Sequence, residues 1–206
     1  MSKLIKKLVD IAYKSHNGHV AGSLTALPII NEVYKNFDFD NDVFILSKGH
    51  ASLALYAVLE KYGFKPEYKV HPDRDIENGI YCTTGSLGHG LPIAIGWALG
   101  KRLKKEKGLV SVLLGDGECQ EGTTWESLLI AQRLNLANLQ VIVDNNAYQA
   151  LDKTLYPAVK NLSKLFNINV VSKTKGTGIK FFEEHPSFHV YHLSDDDYKN
   201  IMEELK

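Results

Sequence analysis

Apolar and polar residues follow two different periods along this chain, and the switches between them outline its architecture. Leu4, Ile5, Leu8, Val9 and Ala12 recur at helical spacing among lysines, which predicts an amphipathic first helix. "HNGHVAGS" (16–23) interrupts it with glycines. Ser23 is expected to cap a second helix whose inward face is Leu27, Ile30, Val33 and Tyr34. "VFIL" (43–46) reads as a short buried strand that leads into a helix, "SKGHASLALYAVLEKYG", closed by Gly63. Residues 64–84 turn polar and irregular, after which "LGHGLPIAIGWALGKRL" resumes a helix rich in small residues.

The clearest fold signal follows. "LVSVLL" (109–114) and "LQVIVDNN" (139–146) are nearly continuous aliphatic runs, joined by the helical "TTWESLLIAQRLNL". A strand with no polar side is buried on both faces, so the three segments predict a right-handed βαβ unit in a parallel sheet. The expected fold class is α/β, a mostly parallel sheet with helices on both faces. Ligands of such sheets bind at the carboxyl ends of the strands. Those ends carry "GDGE" and "DNNAYQ", which should therefore be neighbours in space. At the C-terminus, "SDDDYKNIMEEL" has Ser194 as N-cap, Asp197 at the box position, and Tyr198, Ile201, Met202 and Leu205 on one face. It reads as a docked helix, not an acidic tail.

Composition narrows the function classes. A length of 206 residues with 44% hydrophobic content suits one domain spanning 1–206. Lys plus Arg and Asp plus Glu both number 24, so no basic excess points to nucleic acid or an anionic membrane. The dense basic run "KRLKKEK" (101–107) reads as the solvated end of a helix. Cys82 and Cys119 lie far apart without metal-ligand spacing, which suits a reducing compartment. With no secretory h-region at the N-terminus and no bilayer-length apolar stretch, the expected location is the cytoplasm.

The strand-end clusters carry the chemistry. A magnesium-sized cation takes hard oxygen ligands, commonly one or two carboxylates with phosphate oxygens and water. Asp116 offers a carboxylate, Asn146 an amide oxygen and Tyr148 a backbone carbonyl. Gly115 and Gly117 allow close backbone approach, and the N–H groups that follow face an anion favourably. "DG" and "NN" are ordinary turn dipeptides when taken singly. At matched strand ends they describe a diphosphate site bridged by a metal.

"GDGECQEG" with the distant "NN" is similar to the thiamine diphosphate binding motif, and the segments around it resemble the transketolase family. "NGHVAGS" resembles that family's "SGHPGGS", "FILSKGHASLALYAVL" its "FILSKGHAAPALYA", and "TTGSLGHGLPIAIGWALGKRL" its "STGSLGQGLSVAVGMALA". The likeness continues through "KTKGTGIKFFEEHPSFH" to the acidic final helix, and covers the family's first, diphosphate-binding domain.

The resemblance implies a thiamine diphosphate-binding fold and roles for particular residues. Asp116, Asn146 and the Tyr148 carbonyl would hold Mg, with Asn146 and Tyr148 also serving the cofactor. Gly117 would donate to the diphosphate, and Gly85 and Leu87 would contact the aminopyrimidine. His19, His50 and His71 match histidines lining the substrate channel, His50 touching cofactor as well, and His189 stands where the family has the histidine of "PEWH". Glu121 would join a carboxylate network between two active sites, or simply place negative charge at the start of the following helix. Glu118 and Glu126 are expected on solvent-exposed faces, and Trp125 in packing.

The family's pyrimidine-binding and C-terminal domains, with the glutamate that activates the cofactor and the arginines that grip a sugar phosphate, have no counterpart here. The chain is therefore expected to be one subunit of a split transketolase, inactive without a partner bringing those domains, and a homodimer within a heterotetramer. The pair would transfer a two-carbon ketol unit between sugars or sugar phosphates. A non-catalytic scaffold or regulatory module is the alternative from another class, and a different thiamine enzyme is the alternative within enzymes. Four departures from the family stand out: "GHVAG" for "GHPGG", His89 in "GHG", Ala147 in place of glycine, and "INVVSKTKG", which runs straight through where a further helix and strand are usual. The last makes the sheet one strand smaller at an edge.

Overall fold

The computed structural model describes residues 1–150, 153–154 and 157–206. Among these, four strands, β1 (Val43–Leu46), β2 (Val110–Gly115), β3 (Leu139–Asn145) and β4 (Asn169–Ser172), pair in parallel and in chain order. Eight α-helices accompany them: α1 (Ser2–Ser15), α2 (Val20–Val33), α3 (Ser52–Lys61), α4 (Gly90–Lys104), α5 (Gly122–Leu134), α6 (Ala158–Leu165), α7 (Lys180–Glu184) and α8 (Asp195–Glu204). The aliphatic strands separate their side chains to two cores. Phe44, Leu46, Leu113 and Ile142 pack with α1, α2 and α3 on one face. Val43, Ile45, Val112, Leu114, Val141 and Val143 pack with α4, α5 and α6 on the other. The α/β architecture with helices on both faces is the expected one.

Differences from expectation are local and have physical reasons. Ser23 is not a cap. It lies inside α2, fully buried, its hydroxyl without a partner. The helix begins at Val20 with His19 at the N-cap position and no side-chain cap, the His19 N–H itself going to Asn17 Oδ1 at 3.1 Å. The basic run 101–107 is only partly solvated. Lys101 is buried and donates to the Lys107 carbonyl at 3.0 Å, and Arg102 reaches the Leu134 carbonyl at 2.6 Å. Lys101 thus holds the reversal after α4, where Lys105 takes a left-handed φ of 58°, and Arg102 ties α4 to the end of α5.

β4, α6 and α7 were not anticipated, since β4 is short and mostly exposed and shows no aliphatic run. Beyond β4 the chain passes directly through 173–179 into α7. The final helix docks as expected. Ser194 and Asp197 form the reciprocal capping box, Tyr198 stacks on Tyr13 at 4.3 Å, and Tyr13 donates to Asp195 at 2.7 Å. No described helix is long and apolar enough to cross a membrane.

Candidate functional site

The carboxyl ends of β1, β2 and β3 open onto a cavity of about 270 Å³. Register explains the convergence: Gly115 pairs with Asp144 across β2 and β3, and Asp116 N donates to the Asp144 carbonyl at 3.2 Å. "GDGE" and "DNNAYQ" thus meet, as the strand pattern predicted. The cavity is lined by His19, His50, His71 and His189, by Gly85 and Leu87, and by Asp116, Gly117, Asn146 and Tyr148. Glu121 is not among its lining residues. It occupies the exposed N-cap position of α5, where a carboxylate faces the positive end of the helix, and it makes no side-chain cap.

Asp116 is 3% exposed. Its Oδ1 accepts from Gly117 N at 3.0 Å, while Oδ2 is buried with no partner. Burial holds this carboxyl above its usual range against the pull of the Lys48 ammonium, and the neighbouring Asp144 adds to the rise. A desolvated carboxylate oxygen without a partner is costly, and a cation would relieve it. Asn146, also buried, accepts from Tyr148 N at 3.1 Å in a turn that places Ala147 at a left-handed φ of 64°. Among the described residues no group of three or more His, Cys, Asp or Glu could hold a metal. A cation here would therefore take one carboxylate with amide and carbonyl oxygens, a donor set suited to magnesium and not to zinc.

The Ala147 backbone permits a direct check. The left-handed conformation costs a residue with a Cβ about 1–2 kcal/mol, and glycine's extra unfolded-state freedom returns roughly 0.4–1 of that. Ala147→Gly is expected to stabilise the chain by about 0.5 kcal/mol net, read as a rise in the urea midpoint.

Several site residues escaped the sequence reading. Lys48, 1% exposed, pairs with Asp144 at 2.6 Å, and the Thr25 hydroxyl donates to the same Asp144 oxygen at 2.9 Å. Lys175 is buried at the cavity wall with its ammonium unpartnered over the Tyr148 ring, and burial brings its pKa down to about 8. Glu118 corrects an expectation. It is fully buried, because the tight 3-10 turn Gly117–Gln120 aims it back under β2. There it accepts from Ser47 Oγ at 2.6 Å, Gly115 N at 2.8 Å and Gly88 N at 2.9 Å, tying "TGSLG" to "GDG". Glu126 is exposed and Trp125 packs on the second core, both as expected. A charge directly after an apolar strand, as in "VFILSK" and "LQVIVD", was the available signal for Lys48 and Asp144.

The histidines form one cluster. Ring centroids lie 5.9 Å apart for His19 and His50, 5.9 Å for His19 and His71, and 5.1 Å for His19 and His189. Burial, reinforced by the surrounding imidazoles, brings His19 down to about 4; burial and the Lys48 charge hold His50 well below the usual imidazole range, and burial lowers His189. Neutral rings partner hydroxyls better than they bind anions. Gly18 allows the pairing of His19 with His189: a Cβ there would lie 2.7 Å from Val190 Cγ1 and 2.9 Å from Tyr191 N. Tyr191 N donates to the Gly18 carbonyl at 2.9 Å, so two loops pack backbone against backbone.

Residues 2–169 match the family described as "Transketolase, thiamine diphosphate binding domain". The chain is 34% identical over 165 residues to a protein of Phocaeicola vulgatus named as one of the subunits of an apulose-4-phosphate transketolase, over 70% of this chain and 58% of that one. It is 28% identical to a protein of the same name from Actinobacillus succinogenes, over 100% of this chain and 94% of that one. A transketolase structure from Leishmania mexicana superposes with a TM-score of 0.75 at 22% identity, over 99% of this chain and 40% of the other. The chain thus spans 58% of the length of one curated relative, nearly all of the second, and less than half of the solved enzyme.

Proposed function

Because the chain belongs to the transketolase family, as its thiamine diphosphate binding domain, we propose that it is the cofactor-holding subunit of a split transketolase, moving a two-carbon ketol unit from a ketose to an aldose with a partner chain. The observation that carries this reading is a pair of buried, unpartnered groups on one cavity wall, Asp116 Oδ2 and the Lys175 ammonium. A magnesium diphosphate satisfies both at once, the metal at the carboxylate and phosphate oxygens at the ammonium. Asp116, Asn146 and the Tyr148 carbonyl would hold Mg, Gly117 and Lys175 would face the diphosphate, and Gly85 and Leu87 the aminopyrimidine. Bound there, thiamine diphosphate supplies the electron sink that ketol cleavage requires.

The chain's own residues do the rest of their half. His19, His50 and His189, held neutral by burial, orient sugar hydroxyls and exchange protons with them, with His71 beside them on the cavity wall. Glu118 keeps the glycine turns in register. Glu121, at the exposed start of α5, is placed to meet a second copy's carboxylates. Leu87, 42% exposed beside the cavity, awaits an apolar cover from the partner, which would bring the pyrimidine-binding and C-terminal domains. The assembly is a heterotetramer around a homodimer of this single 1–206 domain, working in the cytoplasm. The relatives' names support a divided enzyme and make apulose 4-phosphate the first donor to assay. A scaffold freed from chemistry has no use for unpaired buried charges, which weighs against the non-catalytic alternative.

The test is reconstitution. The full chain is mixed with a partner carrying the other two domains, thiamine diphosphate and Mg²⁺, and ketol transfer is assayed with each component omitted in turn. Transfer by the complete mixture alone is expected. Transfer by the isolated chain would overturn the divided-enzyme reading, and failure of the full chain to bind thiamine diphosphate in any mixture would overturn the cofactor assignment.

A further inference from the structure

Asn17, 3% exposed, precedes His19 by two residues and has its amide orientation set by groups that cannot change roles. The His19 backbone N–H, an obligate donor, points to Asn17 Oδ1 at 3.1 Å. On the other side Asn17 Nδ2 faces the Lys69 carbonyl, an obligate acceptor, at 3.5 Å, and Ser52 Oγ at 3.2 Å. Ser52 has one proton, and its shortest contact is to the Val70 carbonyl at 2.8 Å, so towards Asn17 it accepts. The oxygen of Asn17 therefore faces His19, and that same oxygen lies 3.1 Å from His19 Nδ1. An amide oxygen only accepts, so Nδ1 must carry the proton.

We infer that Asn17 is a positioning residue that fixes the proton of the His19 ring on Nδ1 and leaves Nε2 as a bare acceptor towards the cavity, where it selects a hydroxyl that donates. A carbonyl or phosphate oxygen, which can only accept, is refused at that point. Among the described residues Nε2 has no protein partner, and His19 lines the cavity. Ser52 and Tyr56 extend the device, because their hydroxyls hold the Lys69 and Val70 carbonyls immediately before His71. The orientations of His19 and His71 thus share one buried network. The inference rests on the proposed function for the identity of the hydroxyl, a sugar's, while the proton's position on the ring is a property of this chain alone.

The proton is read by NMR on the full chain labelled with ¹⁵N-histidine, without cofactor or partner, at about pH 8, where ordinary imidazoles are neutral. His19→Gln identifies the His19 signals. A pyridine-like Nε2 with a protonated Nδ1 is expected in the native chain. Asn17→Ala is expected to release the proton to Nε2, and Asn17→Asp, which keeps an acceptor there, to retain it on Nδ1. A protonated Nε2 in the native chain overturns the inference whatever the variants do, and so does an unchanged proton position in a folded Asn17→Ala. If Asn17→Ala does not fold, the native and Asn17→Asp spectra decide. In the reconstituted pair, Asn17→Ala is expected to lower kcat about tenfold, with thiamine diphosphate affinity within about twofold. Equal losses in both would mark a merely structural role. Should no pair transfer ketol units, the function fails while the NMR result stands.

Discussion

Lys48→Met is expected to destabilise the chain by about 3–5 kcal/mol, the usual cost of stranding one member of a buried ion pair. Lys48 and Asp144 are 1% and 0% exposed, and their contact is 2.6 Å. Asp144 already has one oxygen without a partner, so loss of the ammonium leaves its carboxylate with only the Thr25 hydroxyl. The pair as a whole contributes far less than this, since desolvating two charges offsets most of their attraction. Lys48→Met with Asp144→Leu should therefore recover most of the lost stability. Urea unfolding of the two single variants and the double one measures the coupling. A double variant that loses the sum of the two single losses would mean that the residues act independently.

Asp116→Asn is expected to move stability and binding in opposite directions. Without ligand, the variant replaces a desolvated carboxylate by a neutral amide of the same shape, so stability should rise by about 1 kcal/mol, read as a higher urea midpoint. With Mg²⁺ and thiamine diphosphate, it lacks the only charged ligand proposed for the metal. Affinity should fall on the order of a hundredfold or more, equivalent to about 3 kcal/mol. Calorimetric titration and unfolding of the same preparations check both. If stability and affinity fall together, Asp116 is a structural residue and the metal lies elsewhere. The opposition is the one expected of a group kept for function at the expense of the fold.

Much of this could be read from the chain because the relevant signals are local. β2 and β3 announce themselves by continuous aliphatic residues, and parallel pairing then places their ends, and hence Asp116 and Asn146, side by side. The capping box of α8 is spelled out within four residues. What could not be read depends on packing between distant segments. Lys48 and Asp144 are separated by 96 positions, and only the layering of α2 against the sheet makes both inaccessible. Glu118 reads as a solvent-exposed residue because nothing nearby says that Gly88, 30 positions earlier, needs an acceptor for its N–H. β4 is short and mostly exposed, with only Val171 half-buried against the first core, so it leaves too little hydrophobic pattern to read.

The close packing of the His19 and His189 loops also has a meaning for the order of assembly. His192 Nδ1 meets the His16 carbonyl across 176 positions, and α8 closes on α1 beside it. Contacts of such separation carry the largest loop-closure entropy and form after local ones. The βαβ unit with its "GDGE" end can therefore be in place while the histidine cluster is still open. In kinetic terms the half of the cavity that holds Asp116 and Asn146 is expected to form first, and the half lined by His19 and His189 only when the two ends of the chain meet.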